Sequence, residues 1–169
     1  MHGSNSGQAH GTSGSPQTSL EQQEYSRKVG DVETNAKVHR DYLIKELPKT
    51  SPIKVPETAS VKEEQKNGYE QVKYLWKRGP YNYLSRWHTR TPNAPVEQGA
   101  SWVVERSIPG IGNGPNARKA VREILVRKTS SGHNIWVDKT IWDAAVYARK
   151  HGTSTQKQKE MLDHGHWKA

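Results

Sequence analysis

The sequence contains no cysteine. Disulfide bonds, zinc sites built on thiolates and cysteine nucleophiles are therefore excluded together. A basic chain without cysteine is typical of a reducing compartment, and we expect a cytoplasmic protein. Export by a route that needs no signal peptide stays open.

Phenylalanine is also absent, and hydrophobic residues make up only 31% of the chain. The core must therefore be built from aliphatic side chains, six tryptophans and seven tyrosines. We expect Trp76, Trp102 and Trp142 to lie in that core. A hydrophobic content this low also predicts that part of the chain is disordered.

Long apolar runs are missing too. No segment approaches the length of a membrane span, so we expect no membrane partner. The N-terminal stretch MHGSNSGQAHGTSGSPQTS has no apolar centre and does not read as a secretory signal. No cofactor motif is present, and we expect no cofactor.

Composition divides the chain into three parts. Residues 1–19 are rich in Gly, Ser, Gln and Thr, and we expect a disordered tail. Residues 20–59 read as a weak helix followed by a proline-rich linker, PKTSPIKVPET. This N-terminal region is a candidate for binding a protein partner. Residues 60–169 read as a small, basic, mainly α-helical domain with at most a minor β element.

Four helices are expected in that domain. The first follows Ser60 and Glu63, which form a capping-box pattern. Asp138 is a good N-cap for the third, and Gly152 lies where that helix should end. Thr153 and Gln156 suit a second capping box for the last helix, which Gly165 would close. The expected ranges are 61–78, 116–128, 139–151 and 154–164, with residues 101–107 fitting either a short strand or one helical turn.

Positive charge is concentrated in the C-terminal part. The formal net charge is +9, and residues 1–60 contribute nothing to it, because they hold seven basic and seven acidic side chains. Residues 73–128 hold eleven basic and three acidic side chains. A surface of that charge attracts polyanions by counterion release, and nucleic acid is the commonest such partner. The alternative is a basic protein whose charges only keep it in solution.

A glycine-rich loop, IPGIGNGPNARK, precedes the basic segment that we expect to be helical. Its Pro-Gly-apolar-Gly pattern resembles the hairpin of the helix-hairpin-helix family of DNA-binding modules. That resemblance implies that backbone N–H groups at a helix N-terminus hold a phosphate. The implied site residues are Gly110, Gly112, Gly114, Arg118, Lys119 and Arg122. The plainer alternative is a Gly/Pro turn with a helix behind it.

The last two expected helices, IWDAAVYARKHGTSTQKQKEMLDHG, resemble a helix-turn-helix. Ala148 and Gly152 have the spacing of that motif's turn. The resemblance implies that four residues face a DNA groove: Thr155, Gln156, Lys157 and Lys159. An ordinary helical hairpin is the alternative, and we favour it.

Cations alternate with aromatic rings between residues 73 and 90. This pattern suits single-stranded nucleic acid, whose bases stack on rings while its phosphates pair with cations. Trp87 is the best candidate for an exposed ring. The cationic residues that we expect to extend the nucleic-acid surface here are Lys77, Arg78, Arg86 and Arg90.

Histidines in this basic region suggest a second candidate function. His88 and His133 are candidates for acid and base in a metal-independent ribonuclease of the toxin-effector kind, with Arg86 and Arg90 stabilising the transition state. We prefer a binding protein to this enzyme. A third class is a structural protein of a virion or ribonucleoprotein particle. The cluster of Asp163, His164 and His166 lacks the spacing of a metal site, and we expect no metal.

Overall fold

The computed structural model describes residues 33–169. The described residues divide into two units, one that ends at Lys45 and one that spans residues 46–169, and the two are described separately. In the first unit residues 33–41 are α-helical, and a π-helical turn, Tyr42–Glu46, follows. The weak helix expected in the first part of residues 20–59 is present at residues 33–41, and residues 20–32 lie outside the described residues. The tail expected over residues 1–19 lies outside the described residues.

The second unit is organised around a seven-stranded antiparallel sheet. Six strands follow one another in space in the order of the chain, and the short C-terminal strand β7 pairs with β4. The strands are β1 (Ser60–Lys66), β2 (Tyr69–Arg78), β3 (Tyr81–His88), β4 (Ser101–Ile108), β5 (Val121–Lys128), β6 (Asn134–Asp138) and β7 (Trp167–Lys168).

The expected mainly α-helical domain is wrong, since residues 60–138 form six strands. The helix expected over residues 61–78 is in fact β1 and β2, joined by Asn67 and Gly68, with Gly68 at φ 91°. An Asn-Gly pair between two strand-forming segments is the strongest local signal for a β-hairpin. It outweighs the capping pattern at Ser60. Gly79 lies in the next hairpin turn, at φ 59°.

The helix expected over residues 116–128 is also wrong, because Val121–Lys128 is strand β5. Ile124, Leu125 and Val126 are buried one after another, which imitates a helical pattern. Two features explain why three consecutive residues of this strand are buried. Both faces of the sheet are covered at β5, and a bulge between Leu125 and Arg127 interrupts the alternation of side chains. Residues 101–107 form a strand and not a helical turn.

Two helices follow the sheet, α1 (Lys139–Lys150) and α2 (Gln156–Gly165). The predicted cap of α1 is confirmed, because Asp138 Oδ1 accepts the Thr140 backbone N–H at 2.9 Å. The last helix begins two residues later than expected. Its capping box uses Thr155 and Gln158, not Thr153 and Gln156. No helix among the described residues is long and apolar enough to cross a membrane.

Both helices pack on one face of the sheet, called here the helix face. Trp142 and Ala145 of α1 and Leu162 of α2 meet the strands there. Their partners are Val103, Ile124 and Val126. This apolar contact holds α1 and α2 over β4 and β5.

The opposite face, called here the second face, is crossed by the segment before β1. A short 3-10 helix, Leu47–Thr50, buries Leu47 and brings Thr50 to the sheet. Thr50 Oγ1 accepts the Trp102 Nε1–H at 2.9 Å, and the Ser51 and Ser85 hydroxyl oxygens lie 2.8 Å apart. The proline-rich residues that read as a linker thus contact the sheet.

Candidate functional site

The glycine-rich loop forms an exposed arm, residues 109–120, between β4 and β5. Ile111 and Arg118 pair across it, with backbone hydrogen bonds of 2.9 and 2.8 Å. A Cβ at residue 110 would lie 3.0 Å from the Arg118 carbonyl oxygen, so glycine permits the two chains to approach. The arm is therefore a narrow ribbon held by one isolated β-bridge, with a 3-10 turn, Gly114–Asn116, at its tip. The helix N-terminus implied by the helix-hairpin-helix resemblance does not form at residues 116–128.

Five of the predicted cationic residues lie at one end of the sheet. Arg118 and Lys119 belong to the arm, and Arg122 is exposed at the start of β5. Lys77 and Arg78 end β2, next to the turn that leads into β3. The strand register places that turn beside the end of β4, where the arm begins. This end of the sheet is called here the arm end.

Aromatic rings and one arginine gather on the second face at the arm end. Trp76 and Tyr83 stack with ring centroids 5.5 Å apart and planes 8° apart. Tyr83 also meets Tyr81 at 5.9 Å and Trp136 at 6.3 Å. Arg106 lies against two of these rings. We call these five residues the ring cluster, and all five are half-buried.

Arg106 holds the ring cluster together. Its guanidinium carbon lies 4.3 Å from the centre of the Tyr81 ring and 4.2 Å from that of Trp136. Its Nε–H donates to Glu123 Oε1 at 2.8 Å. A guanidinium stacked on rings and tied to a carboxylate is fixed in orientation. Neither Arg106 nor Trp136 was predicted from the sequence, because they meet only through strand pairing.

The remaining predicted nucleic-acid residues lie at the other end of the sheet. Arg90 Nη1 donates to the Ala94 carbonyl oxygen at 2.7 Å, which fixes the connection between β3 and β4. Trp87, the expected exposed ring, is half-buried, and its Nε1 is buried with no partner among the described residues. Trp102 and Trp142 are buried as expected, whereas Trp76 belongs to the ring cluster.

His88 and His133 are not brought together. His88 is on β3, whereas His133 is exposed in the turn after β5, with β4 lying between β3 and β5. Nδ1 of His133 lies 3.0 Å from the Ser131 hydroxyl oxygen. His88 instead faces His166, the residue that follows α2. The ring centroids are 5.8 Å apart and the planes are 85° apart.

Each of these two rings is anchored by Nδ1. His88 Nδ1 lies 2.8 Å from the Thr89 carbonyl oxygen, and His166 Nδ1 lies 2.6 Å from that of Leu162. A carbonyl only accepts, so both Nδ1 atoms carry hydrogen and both neutral rings have a free lone pair on Nε2. The residues are 4% and 8% exposed. Neither Nε2 is fully buried or has a partner among residues 33–169.

Burial and nearby cations keep these rings neutral. Burial lowers the pKa of His88, and the charges of Arg86 and Arg149 lower it further. The pKa of His166 falls to about 4, mainly because of burial, with Arg149, His88 and Arg86 adding to the effect. Two arginines thus lie close enough to act on both imidazoles.

Donors outnumber acceptors around the two rings. Within residues 33–169 the Arg86 guanidinium makes no hydrogen bond or ion pair, and burial lowers its pKa. Arg149 Nη1 donates to Gln98 Oε1 at 3.0 Å, which fixes the amide so that Nε2 points the other way. Gln98 Nε2 is buried with no partner in the described part of the chain. His88, His166, Arg86, Arg149 and Gln98 are called here the histidine cleft.

The carboxylate nearest to this region on β1 is already occupied. Glu64 accepts from Gln71 and pairs with Lys73 at 3.1 Å, with Lys62 and Lys66 also close. These contacts, the Gln71 hydrogen bond first, lower the pKa of Glu64 to about 2. Glu64 therefore neutralises lysines of β1 and β2, and it leaves the arginines of the histidine cleft without a bonded counter-ion.

The two helices offer less to a ligand. Gly152 takes the left-handed conformation expected from the helix-turn-helix resemblance, with φ 71°. Thr155 and Gln158, however, are used to cap α2. Among residues 33–169 no three His, Asp or Glu side chains come together in a group suited to a metal ion.

Comparisons with protein-family models, with curated proteins and with solved structures find no match for this chain.

Proposed function

We propose that this chain binds nucleic acid through the arm end of its sheet. The observation that carries the proposal is the proximity of two features there. A basic, exposed ribbon leaves the sheet beside a cluster of stacked rings that contains a fixed guanidinium. Phosphates pair with cations and bases stack on rings, so each feature suits one half of a nucleotide.

The charge of the chain supports this partner. All of the net charge of +9 comes from residues 61–169. Arg118, Lys119 and Arg122 are exposed, and none of them has an ion-pair partner among the described residues. Cations without ion-pair partners break no existing ion pair when they contact phosphates. The counterions that the phosphates release then favour binding.

The shape of the arm supports it as well. A two-stranded ribbon fits the major groove of DNA, and single strands can pass along it. Gly112 and Gly114 have positive φ, and no atom lies within 4 Å of a Cβ placed at either. Glycine here leaves the backbone N–H groups accessible to a phosphate. Because only a three-residue 3-10 helix, Gly114–Asn116, forms here and no α-helix starts, the affinity must come from side chains and from these N–H groups.

Fluorescence anisotropy with the full chain tests the proposal. Labelled single- and double-stranded RNA and DNA are titrated across a salt series. We expect binding whose logarithm falls linearly with the logarithm of salt concentration. Replacing Arg118 and Lys119 by alanine should lower affinity about tenfold and reduce the salt slope by about two, one for each phosphate contact.

The matched control removes two cations from α2. Lys157→Ala with Lys159→Ala makes the same change in charge at the residues that a helix-turn-helix would present. We expect it to weaken binding much less than the arm variant. A larger loss of affinity in the helix variant would indicate that nucleic acid binds at α2 and not at the arm. No affinity for any of the four nucleic acids would overturn the proposal and favour a structural protein that needs a protein partner.

A further inference from the structure

The histidine cleft has the composition of an anion site. Arg86, the free amide of Gln98 and the unused donors of Arg149 supply N–H groups from three separate elements, and no carboxylate accepts from them among residues 33–169. A buried donor without a partner costs stability, because it has lost its hydrogen bonds to water. An anion that accepts these hydrogen bonds removes that cost and balances the two guanidinium charges.

Two imidazoles line the same cleft with their Nε2 lone pairs available. Each ring is held by a backbone carbonyl on Nδ1, so that Nε2 is kept in a fixed position. A phosphodiester that contacts Nε2 of both imidazoles, with guanidinium groups on its oxygens, can be cleaved by general acid–base catalysis.

We propose that the histidine cleft cleaves RNA, with His166 as general base, His88 as general acid, and Arg86 and Arg149 binding the phosphate. The inference rests on the proposed function, because the nucleic acid bound at the arm end is the source of the substrate. The arm end and the cleft lie at opposite ends of the sheet, so a strand held by one can reach the other only along the molecule.

The reaction is an internal transfer that needs no further reactant. His166 Nε2 takes the proton of the ribose 2′-hydroxyl, and the 2′-oxygen forms a bond to phosphorus. The bond from phosphorus to the 5′-oxygen breaks, and that oxygen takes a proton from His88 Nε2. The products are a 2′,3′-cyclic phosphate and a free 5′-hydroxyl. The two rings then exchange protons with water and return to their starting states.

The two roles follow from the surroundings of the rings. His166 is the more strongly held in its neutral form, with a pKa of about 4, which suits a base. A bound phosphate raises the pKa of both rings, and His88 takes the proton first. We therefore expect a bell-shaped dependence of rate on pH, with its maximum on the acidic side of neutrality. Arg86 and Arg149 act on both rings, and Tyr69 contacts His88. Glu64, Glu105 and Asp143 act on Arg86.

The test uses the full chain, EDTA and a labelled single-stranded oligoribonucleotide. We expect cleavage that leaves cyclic phosphate ends, and none of the same oligonucleotide with 2′-O-methyl groups. His88→Asn and His166→Asn should each lower the rate about 100-fold. Asparagine retains a donor where Nδ1 donates and removes Nε2, so it keeps the bond that anchors the side chain. His133→Asn, in the exposed turn, is the control that should leave the rate unchanged.

The possible results distinguish the nuclease proposal from the binding proposal. If the wild type binds the 2′-O-methyl oligonucleotide but does not cleave RNA, the cleft is not a nuclease and the proposed function stands. If it neither binds nor cleaves, both are overturned. Undiminished cleavage by folded His88→Asn and His166→Asn would also overturn the assignment. If circular dichroism shows that those variants do not fold, Arg149→Gln replaces them as the test. It should lower the cleavage rate about tenfold through the loss of one phosphate contact, and an unchanged rate would overturn the proposal.

Discussion

Gly165, the last residue of α2, lies directly against the indole ring of Trp142 in α1. A Cβ built at residue 165 would be 2.6 Å from Trp142 Cη2, closer than real side-chain atoms approach. This contact fixes the distance between the two helices at the point where His166 leaves α2. The same indole lies 5.1 Å from the His166 ring, so the helix contact also positions one wall of the histidine cleft.

Gly165→Ala should therefore destabilise the domain. The added methyl group must push the buried Trp142 ring aside, and overpacking of this kind costs about 1–3 kcal/mol. We expect thermal unfolding to begin about 5–10 °C lower, by differential scanning calorimetry.

Trp142→Phe gives the matched test of that contact, because the smaller ring leaves room for the methyl group. In the Trp142→Phe background, Gly165→Ala should cost about 1 kcal/mol less than in the wild type. Equal costs in both backgrounds would show that the two residues are not coupled.

Local signals explain what the sequence predicted well. Asp138, Gly152 and the apolar stripe of residues 139–150 act within a few residues of one another, and α1 was placed correctly. The strands depend on partners that are distant in the chain. Val103 and Val104 are both buried because both faces of β4 are covered, and this hides the alternation that identifies a strand.

The candidate sites were predicted only in part, for the same reason. The glycines and cations of the arm are contiguous, so their exposure and charge could be read from residues 109–122. Arg106 and Trp136 meet only after β3, β4, β5 and β6 have paired. His166 meets His88 only after α2 has packed on the sheet. Sequence spacing carries no information about such distances, and it paired His88 with His133 instead.

The orientation of Arg106 gives a second prediction. Arg106→Lys keeps the positive charge but loses the planar group that contacts Tyr81 and Trp136. We expect it to lower affinity for single-stranded nucleic acid several-fold, with little change in the salt slope, as measured by fluorescence anisotropy. Arg118→Lys, on the arm, should leave affinity nearly unchanged, because there only the charge is needed. Equal effects of the two variants would mean that the ring cluster does not contact bases.

The start of α2 gives a third prediction. Thr155 Oγ1 accepts the Gln158 backbone N–H at 3.1 Å, and Gln158 Oε1 accepts that of Thr155 at 2.9 Å. Thr155→Ala should cost about 1 kcal/mol of stability in urea unfolding. The capping residue expected from the sequence, Thr153, makes a longer 3.3 Å hydrogen bond to Ala148, so Thr153→Ala should cost less. The reverse order would place the helix start two residues earlier.

Buried neutral histidines predict how stability depends on pH. Burial lowers the pKa of His166 from 6.5 to about 4 and lowers that of His88 as well. In the unfolded chain both rings take up protons near pH 6.5, whereas in the folded protein they stay neutral to a lower pH. The unfolded state then binds more protons, so stability must fall as pH falls through about 6.5 and continue to fall towards about 4.

The His166 shift alone corresponds to about 3 kcal/mol over that range. Glu64 and Asp138, whose pKa values are also lowered, add to the loss only below about pH 5, because carboxylates in the unfolded chain stay ionised above it. The interval between about pH 6.5 and about pH 5 therefore isolates the histidines. Urea unfolding across it should show a free energy of unfolding that falls with pH by up to about 1.4 kcal/mol per pH unit from His166, and His88 should add to that slope. His166→Asn should remove the His166 share of the slope, and a variant slope equal to that of the wild type would contradict the lowered pKa of His166.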